Sequence, residues 1–241
     1  MNQVYRGNAY LAEAVGTFIF FFIGIGAGYA VTAFIDPGAA AGSQMIVAFA
    51  HGLALLVVVS AFGAVSGGHF NPAVTFGIWI TGKIDPVRAV GYVASQLIGA
   101  IAAAALAAYI FSGLVLSEGA VTIETSMAVP ALHDGIDLLK GIIIEAVVTM
   151  GLLAAVLGTA VDGRGPKIGG IAIGLSVAAG ILVAGGLTGG ALNPARWFGP
   201  AVVAMDWTNA LVWIVGPLLG AGIVAAIYRT LFLPEADAAA S

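Results

Sequence analysis

Apolar side chains form long blocks along most of the chain, from residue 9 to residue 233. A block of about 20 apolar residues is long enough to cross the hydrocarbon core of a bilayer as a helix. The pattern predicts six membrane-spanning helices, at about residues 9–33, 43–64, 86–111, 137–160, 167–186 and 207–233. We therefore expect an all-α membrane protein whose single transmembrane domain occupies residues 1–241.

Two further apolar segments, at about residues 66–81 and 188–200, are too short to cross. Each contains the pattern Gly-Gly-x-x-Asn-Pro-Ala. Pro72 and Pro194 suit the first position of a helix, where no amide hydrogen is needed. Asn71 and Asn193 suit the capping position before it. Each segment is predicted to be a glycine-rich re-entrant stretch leading into a half-helix of about 15 Å, half the thickness of the hydrocarbon core.

The chain contains an internal repeat. Glu13-Ala14-Val15-Gly16-Thr17 is similar to Glu145-Ala146-Val147-Val148-Thr149, and the two short segments share their Asn-Pro-Ala core. The halves, about 9–111 and 137–233, are joined by a loop at 112–136. Because each half has three spans, the second enters the membrane from the opposite face. In such inverted repeats the functional site lies where the broken helices meet.

Composition excludes several classes of protein. Only 8% of the residues are charged and 61% are hydrophobic, whereas a soluble domain is about 25% charged. The absence of cysteine excludes disulfides and thiolate metal sites, and the three histidines are far apart in sequence. Eight Lys and Arg residues are too few and too scattered for a nucleic-acid surface. We expect no enzyme activity, no catalytic residues, no metal and no cofactor.

The basic residues predict an orientation, because Lys and Arg collect on the cytoplasmic side of membrane proteins. One side collects Arg6, Lys83, Arg88, Arg164, Lys167 and Arg229, and the other has only Lys140 beside its spans. Both termini are therefore expected in the cytoplasm, and the plasma membrane is the expected location.

The two half-helices would point their positive dipole ends at one central point, which repels cations and protons. Carbonyl groups of the glycine-rich stretches would line a pore as hydrogen-bond acceptors. The residues expected to supply them are Gly67, Gly68, His69, Gly189 and Ala191. The side-chain amides of Asn71 and Asn193 are expected to be free to donate to a passing solute. A water molecule bonded to both would direct its own hydrogens outward and interrupt a proton wire.

At these residues the chain resembles the aquaporins, the major intrinsic protein family. Both signature motifs are intact, Asn71-Pro72-Ala73 and Asn193-Pro194-Ala195-Arg196. The resemblance covers nearly all of residues 9–233 and implies six tilted helices and two half-helices around one pore per subunit, in a homotetramer.

The resemblance also implies a selectivity constriction on the outer side of the motifs. Counting from them gives His51, Ile181, Gly190 and Arg196, where water-selective members have Phe, His, Cys and Arg. This set is similar to that of a subgroup of plant tonoplast intrinsic proteins, which the family associates with passage of ammonia as well as water. In that subgroup a further histidine from the outer loop approaches the arginine, and here His133 is the candidate.

Five polar residues need a physical reason for lying in or near the membrane. Arg196 would cost about 2.5–3.5 kcal/mol on insertion scales, so a role in solute binding and cation rejection is expected. A neutral His51 would offer a solute one donor and one acceptor. His69 is expected to line the inner vestibule. Glu13 and Glu145 could belong to a proton relay, but their symmetric placement favours structural acceptors for loop amides.

The predicted function is a passive channel for water, with ammonia and other small neutral solutes, that excludes protons and ions. One alternative is a facilitator for glycerol or small polyols. Trp197 and Ala201 replace the Asp and basic residue of glycerol facilitators, but Trp213-Ile214 does not match the aromatic-Trp pair of water channels. A different class, an ion-coupled secondary transporter, shares inverted repeats and broken helices. It would need ion-coordinating groups at the midplane.

Overall fold

Every regular element that the structure describes is a helix. The computed structural model describes residues 3–34, 40–111 and 128–233. The helices are α1 (Gln3–Phe34), α2 (Ala40–Ser66), α3 (Pro72–Ile80), α4 (Pro86–Phe111), α5 (Leu138–Val156), α6 (Gly169–Thr188), α7 (Pro194–Ala204) and α8 (Ala210–Ile227). Helices α5 and α8 each continue into a π-helical turn, Leu157–Val161 and Tyr228–Phe232. The first part of the predicted loop, 112–127, and the side chain of Arg6 lie outside the described residues.

Six of these helices are long and apolar enough to cross a membrane, and this confirms the predicted spans. The other two, α3 and α7, have 9 and 11 residues. At ~1.5 Å per residue neither can cross. Pro72 and Pro194 begin them, as the sequence predicts. The Oδ1 atoms of Asn71 and Asn193 accept from the backbone N–H groups of Ala73 and Ala195 at 2.8 and 2.9 Å.

Helices α2 and α6 cross at a pair of glycines in equivalent positions of the two repeats. A Cβ atom added to Gly52 would lie 2.6 Å from the carbonyl oxygen of Gly174, and one added to Gly174 would meet the carbonyl oxygen of Gly52. Small residues let membrane helices approach until their backbones touch. The reciprocal contact places this crossing on the approximate two-fold axis between the halves.

A second pair of close contacts obeys the same symmetry. A Cβ on Gly99 of α4 would meet the carbonyl oxygen of Ala14 in α1, and a Cβ on Gly220 of α8 would meet that of Ala146 in α5. Ala14 and Ala146 directly follow Glu13 and Glu145. The contacts that hold the long helices together therefore also fix where the two buried carboxylates lie.

The outer surface is apolar, as a lipid-facing surface requires. Large exposed side chains occur on every long helix, with examples in Leu11, Leu53, Val90, Leu139, Val183 and Leu211. On a protein surrounded by water, such an apolar surface would mark an interaction site. Around six spans it is the surface that faces lipid chains.

Candidate pore and selectivity region

A narrow cavity runs between the two halves, and most of its wall is apolar. Its apolar side chains come from Phe20, Leu55, Val74, Leu152, Val156, Ile173, Val177 and Ile181. The polar side chains are few: His51, His69, Asn71 and Asn193. The two re-entrant stretches contribute Gly68, Ala191 and Leu192. A solute in this cavity therefore finds a small number of hydrogen-bonding groups in a hydrophobic tube.

The re-entrant stretches have a strained backbone in equivalent places. Phe70 and Leu192, each just before its asparagine, have φ angles of 47° and 54°, a region that bulky residues rarely adopt. Such strain persists only where the surroundings fix it. The fixing group is in each case a buried glutamate.

Glu13 binds the first stretch with both carboxylate oxygens. Oε1 accepts from the Ser66 hydroxyl at 2.6 Å and the His69 N–H at 2.9 Å. Oε2 accepts from the Phe70 N–H at 2.7 Å and from Nε2 of Gln96 at 2.8 Å.

Glu145 repeats this arrangement on the second stretch. Oε1 accepts from the Thr188 hydroxyl at 2.6 Å and the Ala191 N–H at 2.9 Å, and Oε2 accepts from the Leu192 N–H at 2.8 Å. Both carboxylates are fully buried. Their contacts are those of the structural acceptors that the repeat suggested.

Several supporting residues were not singled out from the sequence. Ser66 and Thr188 directly precede the two Gly-Gly pairs, and that shared hydroxyl was a signal that could have found them. The Tyr92 hydroxyl donates to the carbonyl of Ser66 at 2.6 Å, and Nε1 of Trp213 donates to the carbonyl of Thr188 at 2.9 Å. Because Tyr92 and Trp213 are different residue types, a comparison of the two repeats in the sequence does not reveal this pair.

The two asparagine side chains link the halves directly. Nδ2 of Asn71 donates to the carbonyl of Leu192 at 2.9 Å, and Nδ2 of Asn193 donates to the carbonyl of Phe70 at 2.9 Å. The expectation that both amide hydrogens are free therefore needs correction. One hydrogen of each amide holds the opposite stretch, which leaves one to meet a solute.

His51 has one ring nitrogen committed to the backbone. Nδ1 lies 2.9 Å from the carbonyl oxygen of Val47. A carbonyl can only accept, so Nδ1 carries a hydrogen and Nε2 of the neutral ring is an acceptor. Nε2 is buried and has no hydrogen-bond partner among the described residues. The expectation of one donor and one acceptor is corrected: Nδ1–H is engaged by the Val47 carbonyl, and the Nε2 edge of the ring packs against Gly24 of α1.

The other three predicted constriction residues lie close to His51. Ile181 lines the same cavity, and a Cβ on Gly190 would lie 3.1 Å from the Cα atom of Ile181. Arg196 is close enough to His51 for an electrostatic interaction. Its Nη1 donates to the carbonyl of Ala128 in the outer loop at 2.8 Å. The structure thus brings His51, Ile181, Gly190 and Arg196 together.

The described contacts of His133 do not include Arg196. The His133 backbone N–H donates to the carbonyl of Leu187 at 2.9 Å, its Nδ1 lies 2.7 Å from the carbonyl of Asp134, and the residue is exposed. Among the described residues, the outer-loop hydrogen bond to Arg196 comes from Ala128. A backbone carbonyl gives no sequence signal, so residue counting could not have identified it.

The end of the pore that carries Lys83 and Arg88 opens into a wider vestibule. Residues 66–69 form part of its wall, together with Lys83 and Arg88. His69 lines both the narrow cavity and this vestibule, and its Nδ1 lies 3.1 Å from the Thr75 hydroxyl. Of the stretch residues expected to supply pore carbonyls, Gly68, His69 and Ala191 line the narrow cavity and Gly67 lines the vestibule. Gly189 packs against Pro130 of the outer loop.

An inverted repeat of six spans, with two opposed half-helices around a narrow lumen, defines a membrane channel. Residues 1–228 match the family described as "Major intrinsic protein". "Probable aquaporin TIP-type" of Medicago truncatula is 42% identical over 229 residues, which cover 92% of this chain and 86% of the relative. "Aquaporin TIP2-1" of Arabidopsis thaliana is 39% identical over 234 residues, covering 95% and 89%.

The chain therefore belongs to the major intrinsic protein family and is a channel of the aquaporin type. The fold is also similar to that of a solved structure. The X-ray structure of the aquaglyceroporin from Plasmodium falciparum matches with a TM-score of 0.80 and 22% identity, covering 94% of this chain and 96% of that one. At this identity the match concerns the fold alone.

Proposed function

We propose that the protein is a passive channel for water and ammonia that rejects protons and ions. The observation that carries this proposal is the narrow, mostly apolar cavity with Asn71 and Asn193 in its wall and with His51 near the guanidinium of Arg196. A solute in this cavity must be small and must carry a lone pair that accepts from the remaining amide hydrogens of Asn71 and Asn193. Water and ammonia each have N–H or O–H hydrogens and a lone pair, so both meet this requirement.

The remaining wall of the constriction disfavours polyols. Ile181 and Gly190 have no side-chain hydrogen-bonding group. A glycerol molecule there would leave hydroxyl groups unpaired, and each unpaired buried polar group costs about 1–3 kcal/mol. Glycerol is therefore at most a minor solute, even though a glycerol facilitator was the sequence-based alternative.

Positive charge rejects cations at two levels. Arg196 repels cations at the outer constriction, and the positive ends of α3 and α7 repel them at the centre. The one free amide hydrogen on each of Asn71 and Asn193 can still orient a central water molecule. An ion-coupled transporter would instead need a carboxylate open to the lumen, and the described contacts of Glu13 and Glu145 engage both oxygens of each.

The test is stopped-flow light scattering on proteoliposomes, with water, ammonia and glycerol as separate solutes and a pH-sensitive dye inside. We expect fast water and ammonia entry, slow glycerol entry and no proton leak. Water permeability equal to that of empty liposomes would refute the channel, and proton leakage would refute the exclusion mechanism. Ammonia entry equal to that of empty liposomes would refute ammonia permeation alone.

The topology and assembly complete the proposal. Both termini lie in the cytoplasm, on the same side as Lys83 and Arg88 of the inner vestibule, and four subunits form a tetramer with one pore each. Protease access to a C-terminal tag in oriented vesicles tests the first statement, and cross-linking tests the second. The plasma-membrane location stays a prediction that gains no support from relatives with TIP-type names. Imaging of a fluorescent fusion would decide it.

A further inference from the structure

We infer that Gln44 is a positioning residue for solute selection, because it fixes the outer half of α6 where Ile181 lines the pore. Gln44 lies near the start of α2. Its Nε2 donates to two successive carbonyls of α6, those of Ile181 at 3.1 Å and Leu182 at 2.9 Å. This inference rests on the proposed role of Ile181 at the constriction.

Two consecutive glycines in α6 make room for the Gln44 amide. A Cβ on Gly185 would lie 3.1 Å from Nε2 of Gln44, and a Cβ on Gly186 would lie 3.5 Å from its Oε1. The first distance is tighter than an ordinary contact, so a side chain at Gly185 would displace the amide. The planar amide therefore lies directly on the α6 backbone, where it reaches carbonyl groups.

The position of this link along the helices determines which part of α6 it holds against α2. Helices α2 and α6 touch at Gly52 and Gly174. Gln44 lies about 12 Å outward from that crossing, at ~1.5 Å per residue. On α2 it is two turns from His51 and so on the same face. The Gln44 amide thus joins the two helices on the outer side, where they carry His51 and Ile181.

The link belongs to the outer half of the channel only. The offset that relates Asn71 to Asn193 and Gly52 to Gly174 takes Gln44 to Pro166, which has no side-chain donor. A contact needed merely to hold the repeat together would be expected in both halves, as with Glu13 and Glu145. Its presence on one side points to the constriction, which also exists on one side.

The test compares solute ratios in variants that conduct water. Gln44→Met fills a similar volume but cannot donate, so packing is kept and the link is lost. We expect the ratio of glycerol to water permeability to rise about fivefold, the size set by one net hydrogen bond. Met45→Leu, at the exposed neighbouring position, is the matched control and should leave the ratio unchanged.

A second pair of variants reaches the same link from α6. Gly185→Ala should displace the amide and raise the ratio in the same direction. Gly151→Ala is the control, because a Cβ there has no neighbour within 4 Å. Should Gln44→Met not insert, Gly185→Ala decides the question. An unchanged glycerol-to-water ratio in the variants that conduct water would overturn the inference. Absence of ammonia flux in the wild type would count against ammonia permeation and leave this test intact.

Discussion

Asn71 donates a hydrogen bond of 2.9 Å to the carbonyl oxygen of Leu192, a residue 121 positions further along the chain. The reciprocal bond runs from Asn193 to Phe70. Each asparagine therefore caps its own half-helix through Oδ1 and holds the opposite stretch through Nδ2. The centre of the channel is a closed set of four hydrogen bonds in which the asparagines are fixed before any solute arrives.

The Asn193→Asp variant tests this arrangement. The ionised carboxylate that it introduces still caps α7 but cannot donate to the carbonyl of Phe70, and it places a negative charge where two positive helix ends converge. We expect this variant to conduct cations or protons faster than the wild type. Dye-reported proton flux in liposomes is the measurement. Proton flux at the wild-type level would show that the central field does not depend on the Asn193 amide.

Replacing Glu13 by Gln tests whether the buried carboxylate fixes the re-entrant stretch. The carboxylate accepts from Ser66, His69, Phe70 and Gln96, and an amide has one acceptor atom instead of two. An unsatisfied buried donor costs about 1–3 kcal/mol, so the melting temperature in detergent should fall.

The control for that experiment is Asp134→Asn, which removes a negative charge from an exposed loop residue. The melting temperature of this variant should match that of the wild type. Equal stability of Glu13→Gln and Asp134→Asn would contradict the structural role of Glu13.

The sequence was sufficient for the fold because the signals were local. Apolar block length set the six spans, and Asn-Pro set the start of each half-helix. The sequence did not predict the hydrogen bonds of atoms whose partners are backbone groups elsewhere in the chain. The Val47 carbonyl that sets the His51 tautomer and the Ala128 carbonyl that binds Arg196 are backbone groups, which any residue type supplies. Residue identity therefore predicts a constriction, and only geometry shows which of its atoms are already engaged in hydrogen bonds.

The paired change His51→Phe and Ile181→His tests the constriction. Phenylalanine removes the Nε2 acceptor and adds bulk, and histidine at position 181 places a larger polar ring against Gly190. We expect a narrower opening that reduces ammonia permeability more than water permeability. Both permeabilities are measured in the same proteoliposome preparation. Equal fractional losses would count against His51 and Ile181 as selectivity residues.

The turn between α5 and α6 predicts a pH dependence outside the membrane. Arg164 donates to Asp162 and also to the carbonyl of Phe232, and the Arg164 guanidinium lowers the pKa of the Asp162 carboxyl to about 2. A lowered pKa means that the pair stabilises the turn above the unfolded value of about 3.9. That contribution is lost as the pH falls from about 4 toward 2. A carboxyl NMR titration, assigned with Asp162→Asn, should give a midpoint well below about 3.9.

The crossing of α2 and α6 predicts that Gly52 tolerates no side chain. In Gly52→Ala the new methyl group would lie 2.6 Å from the carbonyl oxygen of Gly174, a backbone atom that cannot move without separating the helices. Overpacking of this kind costs about 1–3 kcal/mol, so the variant should unfold at a lower temperature in detergent. Gly28→Ala is the control, because a Cβ there meets nothing within 4 Å. Since His51 directly precedes Gly52, separation of the helices should also move the Nε2 acceptor. A Gly52→Ala variant with the melting temperature and ammonia-to-water ratio of Gly28→Ala would show that the crossing is looser than the structure indicates.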